Sequence, residues 1–166
     1  MTTIRSAADA RVLKLNSEFP SRARLTSALT KMVALFDLKD AEVSLSLVSD
    51  KTIREVNSNW RKKDKPTDVL SFPLHELPMA DLLVAGRTAP LLLGDIVISI
   101  ETTVRQAKKH KHTATDEALV LLAHGLLHLF GFDHRTDDEE REMDAFAAVL
   151  IAAAKNRRPL RLSLTA

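Results

Sequence analysis

Three of the chain's six histidines fall within eleven residues, in the run His124-Gly125-Leu126-Leu127-His128-Leu129-Phe130-Gly131-Phe132-Asp133-His134. If the segment up to Phe130 is helical, His124 and His128 stand one turn apart on the same face. Gly131 can then turn the chain through a left-handed conformation and bring His134 back to the same point. Three imidazoles converging there make an open zinc site, with the fourth position left for water or substrate. A lone histidine on an apolar face is more often a satisfied core residue. Three on a leucine-rich segment would each need a hydrogen-bond partner, and a metal accounts for all of them at once. The spacing therefore predicts one Zn²⁺ per chain held by His124, His128 and His134, although such a set also accepts other divalent transition metals.

The same spacing matches the His-Glu-x-x-His-x-x-Gly-x-x-His pattern of metzincin proteases, with one departure. Where those enzymes carry their glutamate base, this chain has Gly125. Glycine cannot accept a proton, so a peptidase reading is disfavoured, while a metal here could still polarise an oxygen or acidify water. Asp133 stands beside the third histidine, where it either orients a ligand or caps the turn.

A second stretch, Asn59 to Pro73, carries Arg61, Lys62, Lys63 and Lys65 within five positions. Such a run suits the C-terminal end of a helix dipole, and it equally suits a phosphate-binding rim on which an arginine grips two oxygens. Lys108, Lys109, His110, Lys111 and His112 form another basic cluster, and Lys155, Arg157, Arg158 and Arg161 a third. Gathered on one face they would suit RNA.

The elements that position these residues follow from periodicity. Residues 10–16 read as a short strand of moderate alternation. Ser21 caps a helix over 22–36, with Leu25, Leu29, Met32, Val33 and Phe36 on one stripe. Glu42 to Val48 alternates as a strand. Ser49 or Asp50 caps a helix in which Ile53, Val56 and Trp60 recur at core-facing spacing, ended by Pro66. Strands follow at 67–72 and 91–99, separated by a proline-punctuated loop over 74–90. Gly94 in the latter strand signals a bulge or a close backbone approach. Ser99 caps a helix to about His110. Thr113 or Thr115 caps the histidine helix, whose apolar residues all round predict burial, and Asp116 and Glu117 suit its positive end. A last helix spans about 137–155. The result is one α+β domain over 1–166, with a small mixed sheet of about four strands packed with about five helices and a basic tail over 156–166.

Composition narrows the function classes. Hydrophobic residues make up 45% and charged residues 28%, as in ordinary globular proteins, and the net charge of +2 permits an anionic partner without demanding one. With no cysteine there is no disulfide or thiolate chemistry, which fits a reducing cytoplasm. Residues 1–10 lack a signal-peptide core, and no apolar run is long enough to span a bilayer.

The chain resembles the YbeY family, bacterial zinc-dependent endoribonucleases linked to ribosomal RNA maturation. The resemblance rests on Arg61 with Asp64 to Pro73, on Leu93 to Ser99, and on His124 to His134, anchoring roughly residues 10–155. Phe132 stands where the family often has tyrosine, and Trp60 where an aromatic is common. The resemblance implies that His124, His128 and His134 ligate the metal and that Arg61 is a catalytic or RNA-gripping residue. It implies a single-strand-specific endoribonuclease acting on the 3′ end of small-subunit ribosomal RNA precursor and in ribosome quality control. Lys62, Lys63, Lys65, Lys108 and Lys109 are the expected RNA contacts, and the ribosome or its small subunit the expected partner. Asp68, Asp95 and Asp133 are candidate bases. The alternatives are a non-catalytic zinc-containing ribosome-assembly factor and, more distantly, a zinc hydrolase of peptides or small substrates.

Overall fold

The computed structural model describes residues 2–38, 40–75 and 90–156; most of the expected 74–90 loop and the basic tail beyond Asn156 lie outside them. The elements, in order, are β1 (Thr3–Ala8), α1 (Ala10–Leu15), α2 (Arg22–Ala34), β2 (Ala41–Val48), α3 (Asp50–Arg61), β3 (Val69–Pro73), β4 (Leu91–Ser99), α4 (Ile100–His110), α5 (Ala114–Leu129) and α6 (Asp137–Lys155). The sheet runs β1-β2-β4-β3, with β1, β2 and β4 parallel and β3 antiparallel to β4. The mixed α+β architecture is as expected, with one exchange. The segment expected as a strand over 10–16 is helix α1, and the edge strand comes earlier, at Thr3–Ala8. Asp9 decides this: its carboxylate accepts from the backbone N–H groups of Arg11 and Val12, an N-cap that starts a helix where the alternation was weak.

Strand β2 shows how the layers form. Ala41, Val43, Leu45 and Leu47 are fully buried, while Glu42, Ser44 and Ser46 between them are not. One face of the sheet is therefore core; α2 and α5 pack over it, and α6 packs against those two helices. Gly94 supplies both features expected of it. Its φ is +138°, the β2–β4 register slips between Glu42 and Val43, and an added Cβ would run into the Phe72 carbonyl.

Thr113 caps α5, which is apolar on nearly every face and buries eleven of its residues. Each leucine so buried contributes about 1.5–3 kcal/mol, so this helix anchors the whole core. It lies close to the sheet because Gly125 permits it: a Cβ there would stand 2.9 Å from Ile96 Cγ2 and 3.3 Å from Ser71 Oγ. The absent glutamate of the protease pattern thus has a packing reason. Any side chain at Gly125 would have to push the Ile96 side chain aside.

Asp50 ties the starts of α3 and α4 together. Its carboxylate accepts from Ser99 Oγ and Thr102 Oγ1, both at 2.6 Å, and pairs with Arg105 at 2.8 Å. Burial alone would raise its pKa, but these hydrogen bonds and the arginine charge outweigh it and hold the carboxyl below 3.8.

Two stability predictions follow from this packing. Gly125→Ala gains about 1 kcal/mol of helix propensity but forces a branched methyl aside at about 1–3 kcal/mol. We expect a melting temperature lower by up to a few degrees in calorimetry; a higher value would mean that α5 can lift without cost. Asp50→Asn should cost about 1–2 kcal/mol at pH 7. Because the folded-state pKa is depressed, that difference should persist above pH 3.8 and shrink as pH falls through the folded value. Denaturant titrations at several pH values would read it, and a difference constant down to pH 2 would exclude the carboxylate as its source.

Candidate functional site

A cleft of about 790 Å³ opens where the end of α5 meets β3 and the C-terminus of α3. His124, His128 and His134 all line it, as do Arg61, Trp60 and Asp68. His124 and His128 come from successive turns of α5, and Gly131, at φ +85°, reverses the chain as the sequence predicts. The rings of His128 and His134 then meet edge-on, with centroids 5.4 Å apart.

His128 is the most constrained of the three. Its Nδ1 lies 2.9 Å from the Phe132 carbonyl oxygen. A carbonyl only accepts, so Nδ1 carries the proton and Nε2 keeps its lone pair in the neutral ring. Burial, together with the nearby His134 and His124, pushes its pKa below 6.5, against the opposing pull of the Phe132 carbonyl and Asp133. A neutral imidazole with an oriented free nitrogen is what a metal ligand requires, so the donor set fits a divalent ion. His124 Nε2 lies 3.5 Å from Asp144 Oδ1 on α6.

The acidic candidates are placed differently. Asp133 accepts from the backbone N–H of His134 at 2.8 Å and pairs with Arg135. These two bonds hold its pKa low and make it a turn-capping carboxylate. Asp68 accepts from Val69 N at 2.8 Å, from Thr67 Oγ1 at 3.1 Å and from Gln106 Nε2 at 3.1 Å. Asp95 does not line the cleft; it sits on β4 between Gly94 and Ile96, on the face opposite Ile96.

The cationic loop is built with care. Helix α3 ends well before Pro66, because Lys62 takes a left-handed conformation with φ 58°. Arg54 grips Asp64 at two points, 2.8 and 3.0 Å, and Asn57 Nδ2 donates to the Lys65 carbonyl at 2.8 Å. Arg61, the last residue of α3, lines the cleft, with Lys62, Lys63 and Lys65 beside it in sequence. Among the described residues, the side chains of Arg61, Lys63 and Lys65 have no ion-pair partner. Lys108 and Lys109 lie at the end of α4 and do not line the cleft; Lys108 pairs with Glu18 at 2.9 Å. Lys155 pairs with Asp116 at 2.7 Å.

Two features escaped the sequence reading. Trp60, expected to pack with Ile53 and Val56, is 73% exposed on the cleft rim, because the last turn of α3 runs beyond the core that buries Ile53. The second is a buried carboxylate. Glu117, at 5% side-chain exposure, accepts from or pairs with His110 Nδ1 at 3.0 Å and with His112 Nε2. These three residues could hold a metal ion, their donor atoms lying within 4.8 Å of one another, a spacing the cleft histidines do not reach. Glutamate on an otherwise apolar helix, preceded by two histidines, was the signal available in the sequence.

Comparison with known proteins agrees with this architecture. A family model described as Endoribonuclease YbeY matches residues 7–155. A relative from Myxococcus xanthus with that name is 45% identical over 127 residues, covering 76% of this chain and 41% of its own length. One from Bacillus cereus is 40% identical over 120 residues, covering 72% of this chain and 77% of its own length. The solution structure of a Thermotoga maritima protein superposes with a TM-score of 0.54 at 27% identity, over 93% of this chain and 89% of that one. The chain is a member of the Endoribonuclease YbeY family.

Proposed function

We propose that this chain is a metal-dependent endoribonuclease that cuts single-stranded RNA in the cleft, acting in the cytoplasm on ribosomal RNA precursor bound to the ribosome or its small subunit. One observation carries the reading: an arginine without a carboxylate partner and three histidines line one cleft. The relatives' names support a nuclease over a non-catalytic assembly factor, and Gly125 supplies no base where the protease pattern has its glutamate. Among the described residues no helix is long and apolar enough to cross a membrane.

His124, His128 and His134 would hold the ion, with Zn²⁺ the expected one, and a bound ion supplies Lewis acidity toward a phosphate oxygen or a water molecule. The chain's own residues do the rest. Phe132 O fixes the His128 ring, and Asp133 with Gly131 shapes the turn that presents His134. Arg61 would place its fork of donors on the scissile phosphate and stabilise the charge that develops there. The Lys62, Lys63 and Lys65 loop would hold flanking phosphates, an interaction that weakens with salt. Lys108 and Lys109 would engage RNA only outside the cleft.

Elemental analysis and cleavage assays test these assignments. His128→Ala should lose both zinc and RNA cleavage, while His112→Ala should keep both and melt earlier, since it deprives a buried carboxylate of a partner at about 1–3 kcal/mol. The opposite pattern would move the functional metal to the His110, His112 and Glu117 group. Arg61→Ala should keep its zinc and lose roughly 10²- to 10³-fold in cleavage rate. Zinc lost from that variant would make Arg61 structural.

A further inference from the structure

We infer that Trp60 forms a stacking platform for one unpaired nucleobase at the cleft rim, and that this contact selects single-stranded over duplex RNA. The inference rests on the nuclease reading above. Its grounds are exposure, neighbours and charge. Trp60 is 73% exposed at the end of α3, next in sequence to Arg61, and both line the cleft. Tryptophan carries a large apolar face and an N–H, which suits it to a surface where one side meets a ligand and the other stays wet. Phe72 stands behind it with ring centroids 5.9 Å apart and the planes tilted by 59°. That contact braces one side of the indole and leaves most of the ring accessible.

The surroundings point to a nucleic-acid occupant. Arg61, Lys62, Lys63 and Lys65 follow the ring within five residues, and the loop carrying them is clamped to α3 by the Arg54–Asp64 pair. An aromatic face beside unpaired cations is the arrangement by which proteins hold single strands, stacking a base while cations follow the phosphates. A purely apolar protein partner would have to cover those charges at a cost. Bases in a duplex already stack on their neighbours, so only an unpaired base can take the indole face. With a base on Trp60, the phosphate attached to the same nucleotide lies within reach of Arg61. Trp60 is thus a substrate-positioning residue, and its loss should act on KM more than on kcat.

The chain offers a direct readout, because Trp60 is its single tryptophan and it has no tyrosine. Zinc-loaded protein mixed in stopped flow with a single-stranded oligoadenylate should show saturable quenching of tryptophan emission before cleavage. Inorganic polyphosphate of similar charge should bind without quenching, and a duplex of the same sequence should quench little. Trp60→Ala should weaken oligoadenylate binding about 10-fold, within the roughly 5- to 150-fold that stacking of one base carries, with Trp60→Phe recovering most of it. Duplex binding should be the same in all three proteins. If oligoadenylate is bound and cut with unchanged emission, and Trp60→Ala binds it like wild type, the platform is wrong and the nuclease reading stands. If wild-type protein neither binds nor cuts RNA, the nuclease reading falls and the platform with it.

Discussion

The close approach of α5 to the sheet at Gly125 is the constraint on which the other features depend. With hydrogen at that Cα, the helix rests on Ile96 and Ser71, and its leucines fill the space between the sheet and α2 and α6. The same placement sets the height at which His124 and His128 enter the cleft. A helix lifted by one methyl group would move both imidazoles away from β3 and from the arginine at the end of α3. Packing and site geometry are therefore one problem here, solved by a single residue. The protease-like pattern in the sequence is a likeness of spacing alone.

Charge is distributed to the same end. Asp64 is taken up by Arg54, Asp133 by Arg135, Asp50 by Arg105 and Asp116 by Lys155. Glu117 is buried between two imidazoles. Among the described residues, Arg61, Lys63 and Lys65 at the cleft edge have no carboxylate partner, while the cleft-lining Asp68 is held by neutral donors. A near-neutral chain thus presents a locally positive rim, which a net charge of +2 would not reveal.

Much of this was legible in the chain itself. The alternation of 42–48, the stripe of α2, the caps at Ser21 and Ser99 and the apolar histidine helix all fixed elements where they are found. The left-handed Gly131 was legible because glycine just past a helix end is the usual residue for that conformation. Residues 10–16 were not, since the Asp9 cap outweighed a weak alternation that favoured a strand. Trp60 misled because periodicity says which face a residue shares and nothing about how far the core extends along the helix. Glu117 was legible as a helix-end acid but not as the partner of His110 and His112, which requires knowing how α4 turns into α5. Pairings across a turn are long-range facts at short range.

The bond from His128 Nδ1 to the Phe132 carbonyl bears on how the site tolerates sequence change. Many ligating histidines owe their orientation to a carboxylate side chain, which one substitution can delete. Here the orienting group belongs to the main chain, present whatever residue occupies position 132. Drift at that position, including exchange between phenylalanine and tyrosine, leaves the tautomer of His128 in place. The vulnerability moves to Gly131, whose φ of +85° carries the carbonyl into position and which has open space around its Cα. The imidazole is held by backbone shape, so the chain can vary around its chemistry without retuning it.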